Sequence, residues 1–389
     1  MLAIGIALIS LLSWIYLLTA RGGFWRARHN AAAGVHQVEF QGPVKVIVPA
    51  RNEADVIGES LTSLLSQTGV QSVHIFLVDD DSRDGTAQVA RAAAAAVGKP
   101  EALTIAESVP LPPDWSGKLW ATQQGLEKAC EIKPNFLLLT DADIVHAPNS
   151  IATLISIAET GPYDLVSFMV KLHCKTFAEK LLVPAFVFFF FMLYPPRWIA
   201  DRTRKTAGAA GGCILIRPEW LERAGGIAAI RGEIIDDCAL AARVKSAGGR
   251  LWLGLALSAR SIRPYKTLAE IGRMISRTAF SQLHHSICLL MVSVLGLTLT
   301  YLAPPLLLFS HHRAAWICGG LACVAMMTAY LPMVRFYGLS PLWVLTLPLT
   351  AVFYLGATIH SALRFWSGRG GQWKDRVQDP RRERPPSKT

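Results

Sequence analysis

None of the seven cysteines stands in a C-x-x-C pair or at any paired spacing, which argues against a zinc ribbon and against a disulfide framework. Cys130, Cys174, Cys213, Cys238, Cys288, Cys318 and Cys323 read instead as reduced, buried small residues. An H-E-x-x-H run is missing too, and the pairs His284-His285 and His311-His312 lie at the edges of apolar segments without a carboxylate set, so they read as interfacial. The glycine-rich stretch Gly208 to Gly212 lacks both the Walker lysine and the dinucleotide fingerprint, leaving a backbone-tight strand or an acceptor loop rather than a phosphate cradle. Charge is sparse at 17% and unbalanced, with 39 Lys and Arg against 28 Asp and Glu for a net +11. No zinc-knuckle, helix-turn-helix or RNA-binding pattern accompanies that excess, which argues against a nucleic-acid partner. The basic residues cluster beside apolar segments, where they would meet anionic headgroups.

Apolar residues are plentiful: 52% of the 389 residues, with a mean hydropathy of +0.34, too apolar for an ordinary soluble domain. Residues 1–20 form one apolar run with Arg21, Arg26 and Arg28 after it, without the charged start and A-x-A site of a signal peptide; they are expected to be an uncleaved membrane anchor. The chain beyond this anchor is then placed in the cytoplasm. Three further runs between 286 and 363, about Ser286 to Ser310, Ala314 to Val334 and Pro341 to Leu363, are each long enough to span a bilayer. Three crossings would put the arginine-rich tail, 364–389, outside, against the positive-inside rule; either one segment is re-entrant, near Pro304-Pro305, or the tail breaks the rule. One more apolar patch, 181–198, ends at two prolines and is short for a span. An interfacial helix is expected there, with a buried core helix as the alternative.

Between 40 and 270 the pattern changes to short β-branched runs alternating with amphipathic stretches, which predicts an α/β domain with a mostly parallel, helix-covered sheet and ligands at the carboxyl ends of its strands. Polar motifs sit at those ends. The first strand runs into Pro49-Ala50-Arg51-Asn52-Glu53 and the next into Asp79-Asp80-Asp81-Ser82-Arg83-Asp84-Gly85-Thr86. Three adjacent carboxylates repel one another and call for base or ribose donors or a cation, although S-x-x-G-T also starts helices. A third strand delivers Asp141-Ala142-Asp143, read as two carboxylates on one side of an extended step, suited to a hard divalent ion that shares its remaining positions with waters and phosphate oxygens. Asp236-Asp237 opens a predicted helix; capping would use one of them, and the other is a candidate general base.

The ordered set V-P-A-R-N-E, V-D-D-x-S-x-D-G-T, G-K-x-x-A, D-A-D, G-G-C and D-D-x-x-L resembles the inverting family 2 glycosyltransferases of the GT-A (Rossmann-like) fold. With its terminal spans and FFFF segment the chain is similar to the hopene-associated glycosyltransferases of hopanoid-producing bacteria. The resemblance implies that Pro49, Arg51, Glu53, Asp79 and Asp80 bind base and ribose, that Lys118 lies near the diphosphate, and that Asp141 and Asp143 hold Mg2+ or Mn2+, with Asp143 the direct ligand. It makes Asp237 the catalytic base beside Asp236, which stands where the family usually has Glu. The Q-x-x-R-W motif of processive members is reduced to Arg277 in Met274-Ile275-Ser276-Arg277-Thr278, which argues for single-sugar transfer. Arg277 is then a diphosphate clamp or an interfacial arginine.

The expected function is therefore transfer of one sugar from a nucleotide-diphosphate sugar to a lipid acceptor, in hopanoid metabolism, by a multi-pass protein of the bacterial inner membrane. A polyprenyl-phosphate sugar synthase is the enzymatic alternative. A channel or transport subunit with a degenerate transferase domain is the non-catalytic one, and the near absence of intramembrane charge argues against it.

Overall fold

The computed structural model describes residues 1–26, 40–131 and 133–367, and the backbone alone of 372–373 and 376–377. Arg28 and most of the basic tail lie outside the described residues. The chain divides into two units that interleave along the sequence: one takes 1–27, 174–198 and 264–371, the other 28–173, 199–263 and 372–389.

The second unit is built on an eight-stranded sheet. Its strands are β1 (Phe40–Ala50), β2 (Val70–Asp79), β3 (Leu103–Glu107), β4 (Phe136–Thr140), β5 (Ile144–His146), β6 (Leu165–Lys171), β7 (Cys213–Ile216) and β8 (Leu251–Ser261), in the order β3-β2-β1-β4-β7-β6-β8-β5. The β3-β2-β1-β4 half is parallel throughout. β7 runs antiparallel to both its neighbours, β6 and β8 are parallel, and β5 closes the far edge antiparallel to β8. The strands read as they do in sequence because both faces are covered: β4 is buried along its whole length, as continuous runs such as FLLLT require.

Three helices, Ile57–Leu65, Thr86–Ala96 and Ser150–Thr160, pack Leu61, Ala90 and Leu154 on the core formed by Val46, Val48, Leu77 and Leu138. A fourth helix, Gly117–Ala129, lies against β1 and β2 through Gly125; a Cβ there would stand 2.7 Å from Ile47 Cγ2, so only glycine allows so close an approach. That packing fixes the height at which the first turn of this helix, with Lys118, meets the strand ends.

The first unit is helical. Among the described residues, five helices are long and apolar enough to cross a membrane by length and composition: Leu2–Thr19, Phe177–Ala200, Ile287–Leu307, Arg313–Phe336 and Pro341–Trp366. A π-helical turn over Thr298–Leu302 stands just before Pro304-Pro305, because prolines 304 and 305 cannot donate to the preceding carbonyls. The phenylalanine run forms the helix Phe177–Leu193, opened by a capping box between Thr176 and Glu179. Phe188 packs on Phe24 and Tyr330, and Phe189 on Tyr301 and Tyr354, all within this unit. The cysteines are all free, but the expectation that they are buried holds for Cys213, Cys238 and Cys323 only; Cys130 and Cys288 are exposed, the first at a helix end and the second on an apolar helix.

Candidate active site

Each acidic motif stands at a carboxyl end of the sheet or opens a helix beside it. Adjacent in register, Ala50 and Asp79 end β1 and β2, and the chain beyond them is stitched into one knot. Asn52 N–H donates to Ser82 Oγ, Glu53 N–H to Thr86 Oγ1, Ala54 N–H to Asp84 Oδ2 and Arg83 N–H to Asn52 Oδ1, each at 2.9 Å. Asp84 also accepts from the N–H and hydroxyl of Thr86; burial raises its carboxyl, but these bonds and the one from Ala54 together outweigh that and hold it below the ordinary range. Asp79 Oδ1 accepts the Ser82 N–H at 3.0 Å. Buried Arg51 reaches the Asp80 backbone oxygen at 2.5 Å and its carboxylate at 3.5 Å, with Asp81 at 3.9 Å. The repulsion of three consecutive carboxylates is thus relieved in part from within the chain, by Arg51.

Beyond β4 the expectation of an extended step is corrected: residues 142–143 form a turn, Ile144 N–H reaching Asp141 O at 3.3 Å. The chain has to turn there because β5 leaves β4 and pairs with β8 at the far edge of the sheet. The two carboxylates consequently meet different partners. Asp141 Oδ1 lies 2.9 Å from Lys118 Nζ, while Asp143 Oδ2 accepts from Ser261 Oγ at 2.6 Å and lies 3.6 Å from Arg263 Nε. The other end of the Arg263 guanidinium pairs with Glu53.

Lys118 also lies 3.3 Å from Asp236 Oδ2. It stands in the first turn of its helix, where the macrodipole disfavours a cation. Burial opposes its charge as well, and Asp141 and Asp236 outweigh both, holding the ammonium well above its ordinary value. Asp141 is raised by burial, with Asp143 and Asp236 adding to the effect and Lys118 opposing it.

The capping expectation for the Asp236-Asp237 pair is corrected too, since Ile235 is the N-cap of helix Asp236–Ser246 and no side chain caps it. Asp236 turns to Lys118 instead. Asp237 accepts from Gly211 N–H at 2.8 Å through Oδ2 and from Cys238 N–H at 2.7 Å through Oδ1. Burial first, and the neighbouring Asp236 second, push its carboxyl up to about 6, against the pull of Lys118 and the two N–H donors. Gly211 belongs to the glycine-rich stretch that leads into β7. Pro49, Lys118, Asp141, Gly211, Asp236 and Asp237 line one cleft, floored by Ile47 and Leu139.

Arg277 belongs to the helical unit, exposed on helix Leu268–Thr278. Sequence reasoning missed Ser261, Arg263, Thr140 and His146. The end of β8, Ser261-Ile262-Arg263, carries the same signal as the other polar strand ends but falls where the alternating α/β pattern gives way to the next segment.

Among the described residues no group of three or more His, Cys, Asp or Glu side chains is arranged to hold a metal ion by itself. Asp141 and Asp143 are hard oxygen donors, partly open to solvent, and a pair of that kind with waters and phosphate oxygens fits Mg2+ or Mn2+.

The chain is 33% identical over 129 residues to the undecaprenyl-phosphate 4-deoxy-4-formamido-L-arabinose transferase of Yersinia enterocolitica, covering 32% of this chain and 35% of that one. It is 34% identical over 112 residues to the 4,4'-diaponeurosporenoate glycosyltransferase of Staphylococcus aureus, covering 28% and 27%. It therefore spans about a third or less of the length of these curated relatives. Among solved structures, a mannosyltransferase of Pyrobaculum calidifontis, in complex with GDP-Man and Mn2+, superposes with a TM-score of 0.57 at 18% identity, over 92% of this chain and 99% of that one, which establishes a shared GT-A fold. The family profile described as glycosyl transferase family 2 matches residues 45–225, the stretch from within β1 to just past β7, and that stretch is what this chain shares with the family.

Proposed function

We propose that the protein is a membrane-bound inverting glycosyltransferase that moves one sugar from a nucleoside-diphosphate sugar to a lipid hydroxyl, with its sheet unit on the cytoplasmic side of a bacterial inner membrane. The observation that carries this reading is the joining of Asp141, Asp236 and Asp237 around Lys118 in one cleft at the strand ends. The five apolar helices support the membrane part, and a hopanoid is the acceptor that the sequence resemblance supplies.

In this mechanism the carboxylate of Asp237 accepts the acceptor's hydroxyl proton as the oxygen attacks the anomeric carbon from the face opposite the diphosphate. The bond from that carbon to the diphosphate oxygen breaks in the same step, with inversion. A carboxyl near pH 6 is largely ionised at neutral pH yet basic enough to help, and such assistance is worth about 10²- to 10⁴-fold. Lys118, fixed as an ammonium, exchanges its carboxylate partners for the negative charge that gathers on the departing diphosphate. Arg51, Glu53, Asp79, Asp80 and Pro49 form the base and ribose side of the site. Asp141 and Asp143 would hold the divalent ion, which when bound neutralises diphosphate charge.

A polyprenyl phosphate as acceptor is the second reading, favoured by the name of the Yersinia relative. Such an acceptor is already ionised and needs less from a base, so the shifted carboxyl of Asp237 favours the hydroxyl. The test is to incubate membranes carrying the protein with a panel of nucleoside-diphosphate sugars and analyse the lipids by mass. A lipid gaining one sugar, with release of nucleoside diphosphate, supports the proposal; neither product from any donor overturns it.

A further inference from the structure

Behind the cleft lies a buried polar chain that the proposed mechanism does not use. Thr140, His146 and Ser150 are all buried, at the end of β4, the end of β5 and the start of the helix Ser150–Thr160. Thr140 Oγ1 donates its only proton to Gly212 O at 2.8 Å. It must then accept from His146 Nε2, 3.2 Å away, which leaves Nδ1 to accept from Ser150 Oγ at 3.3 Å. The ring is a neutral Nε2–H tautomer, consistent with burial pushing it down to about 4. Its own backbone N–H is fixed by Ser63 Oγ at 3.0 Å.

Residues 140 and 146 bracket the turn that carries Asp141 and Asp143, so this hydrogen bond closes the turn at its neck. Gly212 is bonded in sequence to Gly211, whose N–H holds Asp237. One chain of contacts therefore runs from Ser150 to the loop on which Asp237 rests. We infer that His146 is a positioning residue for the transfer reaction, holding the Asp141–Asp143 turn and the Asp237 anchor in fixed relation through Thr140 and Gly212. This rests on the proposed glycosyl transfer.

The test uses the full chain in detergent, with the donor found in the lipid screen and with Mn2+ alone as a binding probe. His146→Phe keeps the ring and removes both hydrogen bonds. It is expected to lower kcat about ten- to hundredfold, the scale on which misplacement of catalytic groups acts, while donor KM changes less than about threefold. Mn2+ affinity should fall as well. In His146→Gln the terminal amide can donate to Thr140, and kcat should return to within about fivefold of wild type. Thr140→Val should match His146→Phe, and the double variant should be no worse than either single one, because both break one chain. If His146→Phe does not fold, Thr140→Val and His146→Gln carry the same comparison. Unchanged kcat in the folded variants, a loss confined to KM, or losses that multiply in the double variant would overturn the inference. A wild-type protein that transfers no sugar overturns the functional reading instead, and unchanged Mn2+ affinity in His146→Phe then overturns this one as well.

Discussion

Asp237 and Gly211 are joined by a 2.8 Å hydrogen bond from a backbone N–H to a carboxylate, and a Cβ at position 211 would stand 3.3 Å from that carboxylate oxygen and 3.5 Å from Lys118 Nζ. Asp237 and Lys118, the proposed base and leaving-group cation, thus both lie beside the same glycine. Gly211→Ala should fold with near-normal Tm, since its backbone is not in the left-handed region. It should lose about tenfold in kcat, measured in single-turnover assays, because the Asp237 carboxylate must give by a few tenths of an ångström. An alanine variant with full turnover would show that the close approach is not needed.

Asp237→Asn should cut kcat by about 10²- to 10⁴-fold while leaving donor affinity within a few-fold, measured by nucleotide titration. In the wild type, kcat should rise with pH through about 6, as the carboxyl becomes a base. Stability goes the other way. A carboxyl raised in the folded state binds its proton more tightly there than when unfolded, so the fold is favoured below the ordinary carboxylate range and loses stability as pH rises toward 6. The Asn variant should therefore have the higher Tm at pH 7, and a lower one would contradict the shift.

Arg263 is the counter-charge for both Glu53 and Asp143. Arg263→Ala should cost about 1–3 kcal/mol, less than a fully buried broken pair because the side chain is partly exposed. Mn2+ should restore part of the lost Tm, since a cation can take over the same carboxylates. Thermal melts with and without Mn2+ decide this.

Asp143→Ala should weaken donor binding in the presence of Mn2+ far more than in its absence, as measured by calorimetry. Equal weakening under both conditions would assign Asp143 a role other than holding the ion.

Asp84 accepts N–H groups from both Ala54 and Thr86. Asp84→Ala should lower stability by about 1 kcal/mol, the size of a lost cap, and raise donor KM by loosening the loop of Arg51 and Glu53. Because its carboxyl is lowered in the folded state, the stabilisation is present above the ordinary carboxylate range and disappears as pH falls through the lowered value.

Those residues are legible in the sequence to very different degrees. Buried runs such as FLLLT and the carboxylates just after them announce strands and strand ends, because burial on both faces forces continuous apolar residues and ligands collect where strands stop. That is why Asp79, Asp141 and Asp143 can be placed without coordinates. The pairing of Lys118 with Asp236 spans more than a hundred residues and depends on where Gly125 lets one helix settle, which no local pattern encodes. The turn at Asp141–Asp143 reads as extended in the sequence because the partner of β5 is β8, a long-range choice. His146 carries no signal at all in sequence, since a lone histidine in a short strand looks like any core residue.

The excursion of residues 174–198 between β6 and β7 has a practical consequence for anyone wishing to handle the sheet alone. Trimming both termini does not free it, because the phenylalanine run is threaded through the middle of its sequence and would come along as greasy, unshielded surface. A soluble piece would need the chain respliced from His173 to Ile199. The internal insertion therefore makes ordinary terminal truncation the wrong route to a water-soluble enzyme.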